Sequence, residues 1–354
     1  ARLGRSGAWT RPFGYGDVEE EYRAVRERVS IMDVGTLGKF LLTGPDAAEL
    51  VDVTFPTRTA DLVAGRARYL LALDEAGYVF DDGLLCSLGD EGWYVTSTSG
   101  GADRMEAWLR DRADRWGLRV HVVDLTPERG AILVAGPRAR ELLAALGDDP
   151  LDAASFPHLG VREITVAGIG CRAIRSGFVG ELAFELHHPR RRGPDLWRAL
   201  TDAGASLGIR PHGLDALEVL RLEKGHLYIG QDTLPDDTPA KLGLEWAVDL
   251  GKERFPGRRA LERLSVRPVP RRLVGLRFER GGSELRGMPL QHDRGIVGRV
   301  TSAAVSPALG ETIGLGWIRR GEDGGVPAIV RAGAIEAEVS PTPFYDPEGA
   351  RLDG

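Results

Sequence analysis

Residues 67–98 read ARYLLALDEAGYVFDDGLLCSLGDEGWYVTST, and this stretch decides the fold. Three apolar runs, at 67–73, 78–88 and 92–98, are separated by Asp74-Glu75-Ala76-Gly77 and Gly89-Asp90-Glu91-Gly92. Both separators are built from turn-forming residues. Strands that follow one another directly, rather than alternating with helices, argue against a doubly wound parallel sheet and for a mixed α+β fold. The middle run contains Asp81-Asp82, two adjacent carboxylates inside otherwise apolar sequence. Side chains alternate along a strand, so only one of the two can face the interior. An inward carboxylate must meet water, a cation or a donor, because an unpaired buried charge is too costly. One of the pair is therefore a site candidate; a solvated turn between two strands is the alternative.

Upstream, residues 17–28 read as a helix, with Asp17 as N-cap and Glu20 three residues on. The preceding Trp9-Thr10-Arg11-Pro12-Phe13-Gly14-Tyr15 reads as aromatic loop. Residues 31–34 and 39–42 read as strands, and 102–116 as an amphipathic helix with Met105, Trp108 and Leu109 on one face. The pattern Phe40-Leu41-Leu42-Thr43-Gly44-Pro45, then a helix from 46, returns as Ala131-Ile132-Leu133-Val134-Ala135-Gly136-Pro137, then a helix over 138–146. This strand, Gly-Pro turn, helix echo points to two related subdomains. Residues 161–176 read as a hairpin, 182–186 as a strand, and 195–207 and 214–224 as helices. Beyond Pro268 short strands and Gly-rich turns indicate a small β-rich domain.

A chain of 354 residues exceeds the ~250–300 at which one core usually splits. Hydrophobic content of 42% and charged content of 28% fit a globular protein, and a net charge of −6 argues against a nucleic-acid partner. No apolar run reaches the ~18 residues of a membrane helix. Cys86 and Cys171, each in an apolar run, read as buried free thiols of a reducing, cytoplasmic compartment.

Gly168-Ile169-Gly170-Cys171-Arg172-Ala173 matches a dinucleotide-binding pattern, but a return strand follows where a helix is required. It reads as a hairpin turn, leaving no flavin or nicotinamide site. His187-His188-Pro189-Arg190-Arg191-Arg192 reads as a solvated loop, because no further ligand completes a metal set. No nucleophile elbow or P-loop appears. In Ser176-Gly177-Phe178-Val179-Gly180-Glu181-Leu182-Ala183-Phe184-Glu185-Leu186, two glycines permit close backbone approach. Glu185 then stands in an apolar strand. It is either an acceptor for paired N–H donors of a flat heterocycle or an edge-strand residue facing solvent.

Together these segments resemble the folate-binding T-protein family, the aminomethyltransferase of glycine cleavage and its relatives. The resemblance runs through Trp9-x-x-Pro12-x-x-Tyr15, Met32-Asp33-Val34, Gly65-x-Ala67-x-Tyr69, Asp81-Asp82 and Gly177-Phe178-x-Gly180-Glu181-x-x-x-Glu185. It continues in Leu220-Arg221-Leu222-Glu223-x-Gly225 and Gly298-x-Val300-Thr301-Ser302-x-x-x-Ser306-Pro307. A narrower resemblance, to the C-terminal half of the α subunit of heterotetrameric sarcosine oxidase, rests on Val79-Phe80-Asp81-Asp82-Gly83, Thr98-Ser99-Gly100-Gly101, Glu223-Lys224-Gly225 and Gly230-Gln231-Asp232-Thr233. Thr98 stands where T-proteins carry Asn, and Leu217-Glu218 where they carry Arg-Asp. Both departures resemble the sarcosine oxidase branch.

The resemblance implies a three-domain cloverleaf with tetrahydrofolate in a central channel. It implies domains at 1–43 with 128–210, at 44–127 with 211–264, and at 265–354, the last barrel-like. It places the essential aspartate on Asp82 and the pterin-binding glutamate on Glu185. Tyr69, Thr98, Asp81 and Phe178 are the further expected cofactor contacts, with no metal. The implied activity is transfer of a formaldehyde-level carbon from a small-molecule amine or imine to tetrahydrofolate, with a flavoprotein oxidase as partner chain. A folate-dependent demethylase acting on a methylated substrate, or a non-catalytic folate-binding subunit, are the alternatives.

Overall fold

The three apolar runs form the strands Arg66–Leu73, Val79–Ser87 and Trp93–Ser97. In the computed structural model, which describes residues 1–293, 295–321 and 324–354, Asp74 shapes the first turn. Its Oδ1 accepts from the amides of Ala76 and Tyr78, both at 2.9 Å, and Gly77 takes a φ of +79°. With Gly38–Thr43 and His121–Asp124 these strands make a five-stranded sheet in the order Arg66–Leu73, Val79–Ser87, Trp93–Ser97, Gly38–Thr43, His121–Asp124. Asp81 and Asp82 thus lie within one strand, and the solvated-turn reading does not hold.

The chain divides into two units: Ala1–Ala72 with Asp81–Leu217 and Gly349–Gly354, and Leu73–Phe80 with Glu218–Glu348. In the first, the helices Ala47–Thr54 and Ala102–Trp116 pack against each other and the five-stranded sheet. Ala102–Trp116 buries Met105, Leu109, Arg112 and Ala113 and stops at Gly117, which adopts the left-handed conformation at φ +62°. A six-stranded sheet runs in the order Val161–Val166, Ile169–Ile174, Ala183–Pro189, Arg129–Ala135, Ser30–Asp33, Arg210–Pro211. Leu142, Phe156, Phe184, Leu186, Leu196 and Leu200 belong to the core on one of its faces. The Gly168 motif is a hairpin turn, with Val166 opposite Ile169 and positive φ at Ala167 and Gly168.

The two Gly-Pro turns echo each other in geometry as well as sequence. Gly44 and Gly136 take φ of +118° and +119°, and a Cβ on either would approach a backbone carbonyl oxygen within 2.4 and 2.6 Å.

Local readings fail at three places. Residues 9–15 are not loop: Trp9–Gly14 is a strand paired antiparallel with Arg2–Ser6, and its mixed aromatic and polar composition hid the alternation. Asp17 does cap the helix Val18–Glu27 by accepting from Glu19 N at 2.9 Å. The reciprocal acid is Glu21, which accepts from the amides of Tyr15 and Gly16, while Glu20 bonds Arg28. Third, His187 and His188 do not lie in a solvated loop. They end the strand Ala183–Pro189 fully buried, and only Arg190–Arg192 forms an exposed turn.

In the second unit Arg271–Phe278, Glu311–Arg319, Gly295–Ser306, Pro289–His292, Ile329–Ala332 and Ile335–Ser340 close a barrel. Beside it lies a buried polar nucleus. Arg221 Nη1 donates to Asp232 Oδ2 at 2.7 Å, both side chains fully buried. Asp232 also accepts from the Thr301 hydroxyl at 2.6 Å, the Ser302 hydroxyl and the Tyr228 amide. Among the described residues no helix is long and apolar enough to cross a membrane.

Candidate active site

Tyr69 and Asp82 meet across neighbouring strands, Tyr69 Oη donating to Asp82 Oδ2 at 2.8 Å. Burial raises the Asp82 carboxyl to about 6, while the hydrogen bond from Tyr69 pulls it down. Burial also raises the Tyr69 phenol, and the charge of Asp82 adds to that, so Tyr69 keeps its proton and acts as donor.

Asp81 faces away. It is fully buried beneath Gly101, at the head of the helix Ala102–Trp116, where a Cβ on Gly101 would lie 2.0 Å from its Oδ2. Burial raises its pKa to about 7; Thr98 pulls the value down and the charge of Asp82 pushes it up. Among the described residues neither carboxyl oxygen of Asp81 has a well-formed hydrogen bond. Thr98 belongs to this group: its hydroxyl accepts from Gly101 N at 3.1 Å. The Trp9 indole holds the same loop by donating to Ser99 O at 3.2 Å.

Glu185 lies on a central strand, between Ile169–Ile174 and Arg129–Ala135, which rules out an edge position. Ser176 donates to its Oε1 at 2.7 Å, and His187 Nε2 lies 3.2 Å from its Oε2. The Tyr94 hydroxyl is 2.9 Å from His187 Nδ1. An ionised carboxylate only accepts, so Nε2 carries the imidazole proton and Nδ1 accepts from Tyr94. Burial lowers the His187 pKa, which keeps the ring neutral. Burial pushes the Glu185 carboxyl up, but hydrogen bonds from His187 and Ser176 and the Lys39 charge outweigh it, leaving Glu185 below its usual range. Lys39 is buried, donates to the carbonyls of Gly35 and Leu37 at 3.0 and 2.7 Å, and is pulled down to about 8 by burial.

Alternation relates the two carboxylates. Ala67, Leu84, Cys86 and Tyr94 of the five-stranded sheet pack with Val161 and Ile174 of the six-stranded sheet. Tyr69 shares the face of Ala67, Asp82 that of Leu84 and Cys86, and Glu185 pairs with Ile174. Asp82 and Glu185 therefore both face the space between the two sheets of this unit, while Asp81 and Thr98 lie behind the first sheet. Phe178 sits half-buried in a tight turn closed by Gly180 N donating to Gly177 O at 2.8 Å.

Sequence reading missed Tyr94, His187 and Lys39. The spacing of His187, two residues after Glu185 on one strand, was a usable signal; the other two depend on how the sheets stack. Among the described residues no group of three or more His, Cys, Asp or Glu could hold a metal ion.

The GCVT N-terminal domain matches residues 1–252, and the glycine cleavage T-protein C-terminal barrel domain matches residues 271–346. An aminomethyltransferase of Halothermothrix orenii is 31% identical over 349 residues, covering 97% of this chain and 96% of that protein. The sarcosine oxidase subunit alpha of Corynebacterium sp. (strain U-96) is 34% identical over 377 residues, covering 98% of this chain and 38% of that protein. The crystal structure of glycine cleavage system aminomethyltransferase T from Bartonella henselae aligns with a TM-score of 0.86 at 27% identity, covering 98% of this chain and 95% of that one. The α+β architecture, the closed barrel and the paired carboxylates thus sit in an aminomethyltransferase fold. The chain belongs to the glycine cleavage T-protein family, a family of transferases.

Proposed function

We propose that this chain is a tetrahydrofolate-dependent one-carbon transferase, moving a formaldehyde-level carbon from an amine or imine to the folate. The observation that carries this reading is the pair of acids, Asp82 and Glu185, on the facing sides of two packed sheets. Glu185 is acceptor-only, and each oxygen already takes one donor, which leaves lone pairs for the paired N–H groups of a pterin. Asp81 and Thr98 contribute indirectly, by shaping the loop behind the first sheet, while Phe178 offers an aromatic face.

Bound tetrahydrofolate would supply two nucleophilic nitrogens, N5 and N10. Glu185 orients the ring through its N–H edge, and Ser176 and His187 fix the Glu185 rotamer. Asp82, with a pKa near 6, would take in its ionised form the proton that N5 loses on forming its new carbon–nitrogen bond and return it to the departing amine. Tyr69 holds the Asp82 carboxylate in place and stabilises its charge.

The similarity to sarcosine oxidase subunit alpha supports a flavoprotein oxidase partner that delivers the carbon unit. Product analysis tests the reading. Tetrahydrofolate with an amine donor and its oxidase is expected to give methylenetetrahydrofolate faster with this chain than in the same mixture without it. Methyltetrahydrofolate as the product would replace this reading with a demethylase.

A further inference from the structure

We propose that Gly349–Gly354 is a strut that sets the loop at residues 176–182, with Arg351 as its positioning residue; the inference rests on the folate reading above. This loop carries both Phe178 and the serine that orients Glu185. Two contacts reach the loop directly, from Arg351 and from Leu352, and Arg26 and Arg175 brace its flanks. Arg351 Nε donates to Glu181 Oε1 at 2.7 Å, and Arg351 Nη2 donates to the Arg26 carbonyl at 2.8 Å. Arg26 Nη1 donates to the same Glu181 oxygen at 3.0 Å and to the Val179 carbonyl at 2.8 Å. Arg175, its side chain only 1% exposed, donates to the Leu352 carbonyl at 2.8 Å and to Phe156 O at 2.6 Å. Leu352 also packs on the loop backbone: a Cβ on Gly177 would lie 2.1 Å from its Cδ2.

The chemistry makes Arg351 the decisive member. Glu181 is 2% exposed and shares one oxygen between two guanidinium groups. Charge-assisted bonds to a buried carboxylate are the strong ones, and losing one leaves acceptor capacity unfilled. The turn at Gly177–Gly180 is closed by its own backbone bond and braced by Arg26 Nη1 on the Val179 carbonyl, with Gly180 at a φ of +76°. Without Arg351 the Phe178 turn gains freedom, and ordering it on binding weakens affinity.

Arg351→Gln in the full chain tests this, with tetrahydrofolate as the probe. The expected result is a roughly tenfold rise in Kd and KM, about 1.4 kcal/mol, with saturated kcat within about twofold. Arg351→Lys is expected to recover part of the loss. Amide exchange supplies a readout that needs no ligand: Gly180 is expected to exchange at least about tenfold faster in Arg351→Gln, with Ala183–Pro189 unchanged. Gly177→Ala, which forces Leu352 off the loop, should do the same, and so should Leu352→Ala, which removes that packing. Unchanged Gly180 exchange overturns the strut, as does faster exchange with a wild-type Kd. A wild-type protein that ignores tetrahydrofolate overturns the functional reading instead, and exchange still decides the strut. Should Arg351→Gln fail to fold, the Gly177→Ala and Leu352→Ala pair decides by the same two readouts.

Discussion

At the scale of single residues, the two neighbouring acids differ in direction more than in kind. Both are raised by burial, Asp82 to about 6 and Asp81 to about 7, yet one faces a tyrosine and the space between sheets and the other faces a helix end. Alternation alone predicts that they point apart; which one points where depends on the register against Tyr69, thirteen residues back, and no local pattern encodes that. If Asp82 works as an ionised base, kcat/KM rises with pH through about 6. Asp82→Asn should remove that limb and slow turnover by about 10²–10⁴-fold, and a retained limb assigns it to another group. Asp81 acts on stability. Its folded pKa lies above the ordinary 3.8, so its cost is absent below about pH 4, grows between 4 and 7, and is complete above 7. Thermal melts of Asp81→Asn should therefore gain on wild type as pH rises from 4 to 8, by up to about 4 kcal/mol. A gap that does not change with pH contradicts the assignment.

At the scale of elements, the helices and the central hairpins are legible because their periods are long and their turns carry Gly, Asp or Pro. The helix Ala102–Trp116 falls where the spacing of Met105 and Leu109 puts it. The N-terminal hairpin and the buried end of Ala183–Pro189 are not legible, because each looks polar until its sheet neighbour is known. Gly101 shows how an element and a residue constrain each other: the helix can start there only because no side chain competes with Asp81 for space. Gly101→Ala should cost about 1–3 kcal/mol of stability, the usual penalty for overpacking. Chemical denaturation measures this, and a neutral result would mean that Asp81 is free to rotate away.

At the scale of the whole molecule, the long motifs that carry the family resemblance divide into two kinds. Asp82 and Glu185 face the space between the two sheets of the first unit. Arg221, Asp232, Thr301 and Ser302 instead hydrogen-bond one another in the buried nucleus of the second. Sequence shows both as equally patterned, because a buried ion pair and a binding carboxylate use the same residue types. Asp232→Ala should destabilise by about 3–5 kcal/mol, since it leaves Arg221 buried beside an incomplete set of partners. A shift in denaturation midpoint that small surface changes also give would contradict that. For the first unit we propose that Glu185 grips a reduced pteridine and Asp82 handles its protons. The direct test is calorimetric titration of tetrahydrofolate into wild type, Glu185→Gln and Asp82→Asn under one buffer. Wild type and Asp82→Asn are expected to bind within about threefold of each other and Glu185→Gln at least about tenfold more weakly, the loss of a charged acceptor. Equal binding by Glu185→Gln and wild type, or no binding by wild type, would contradict the proposal.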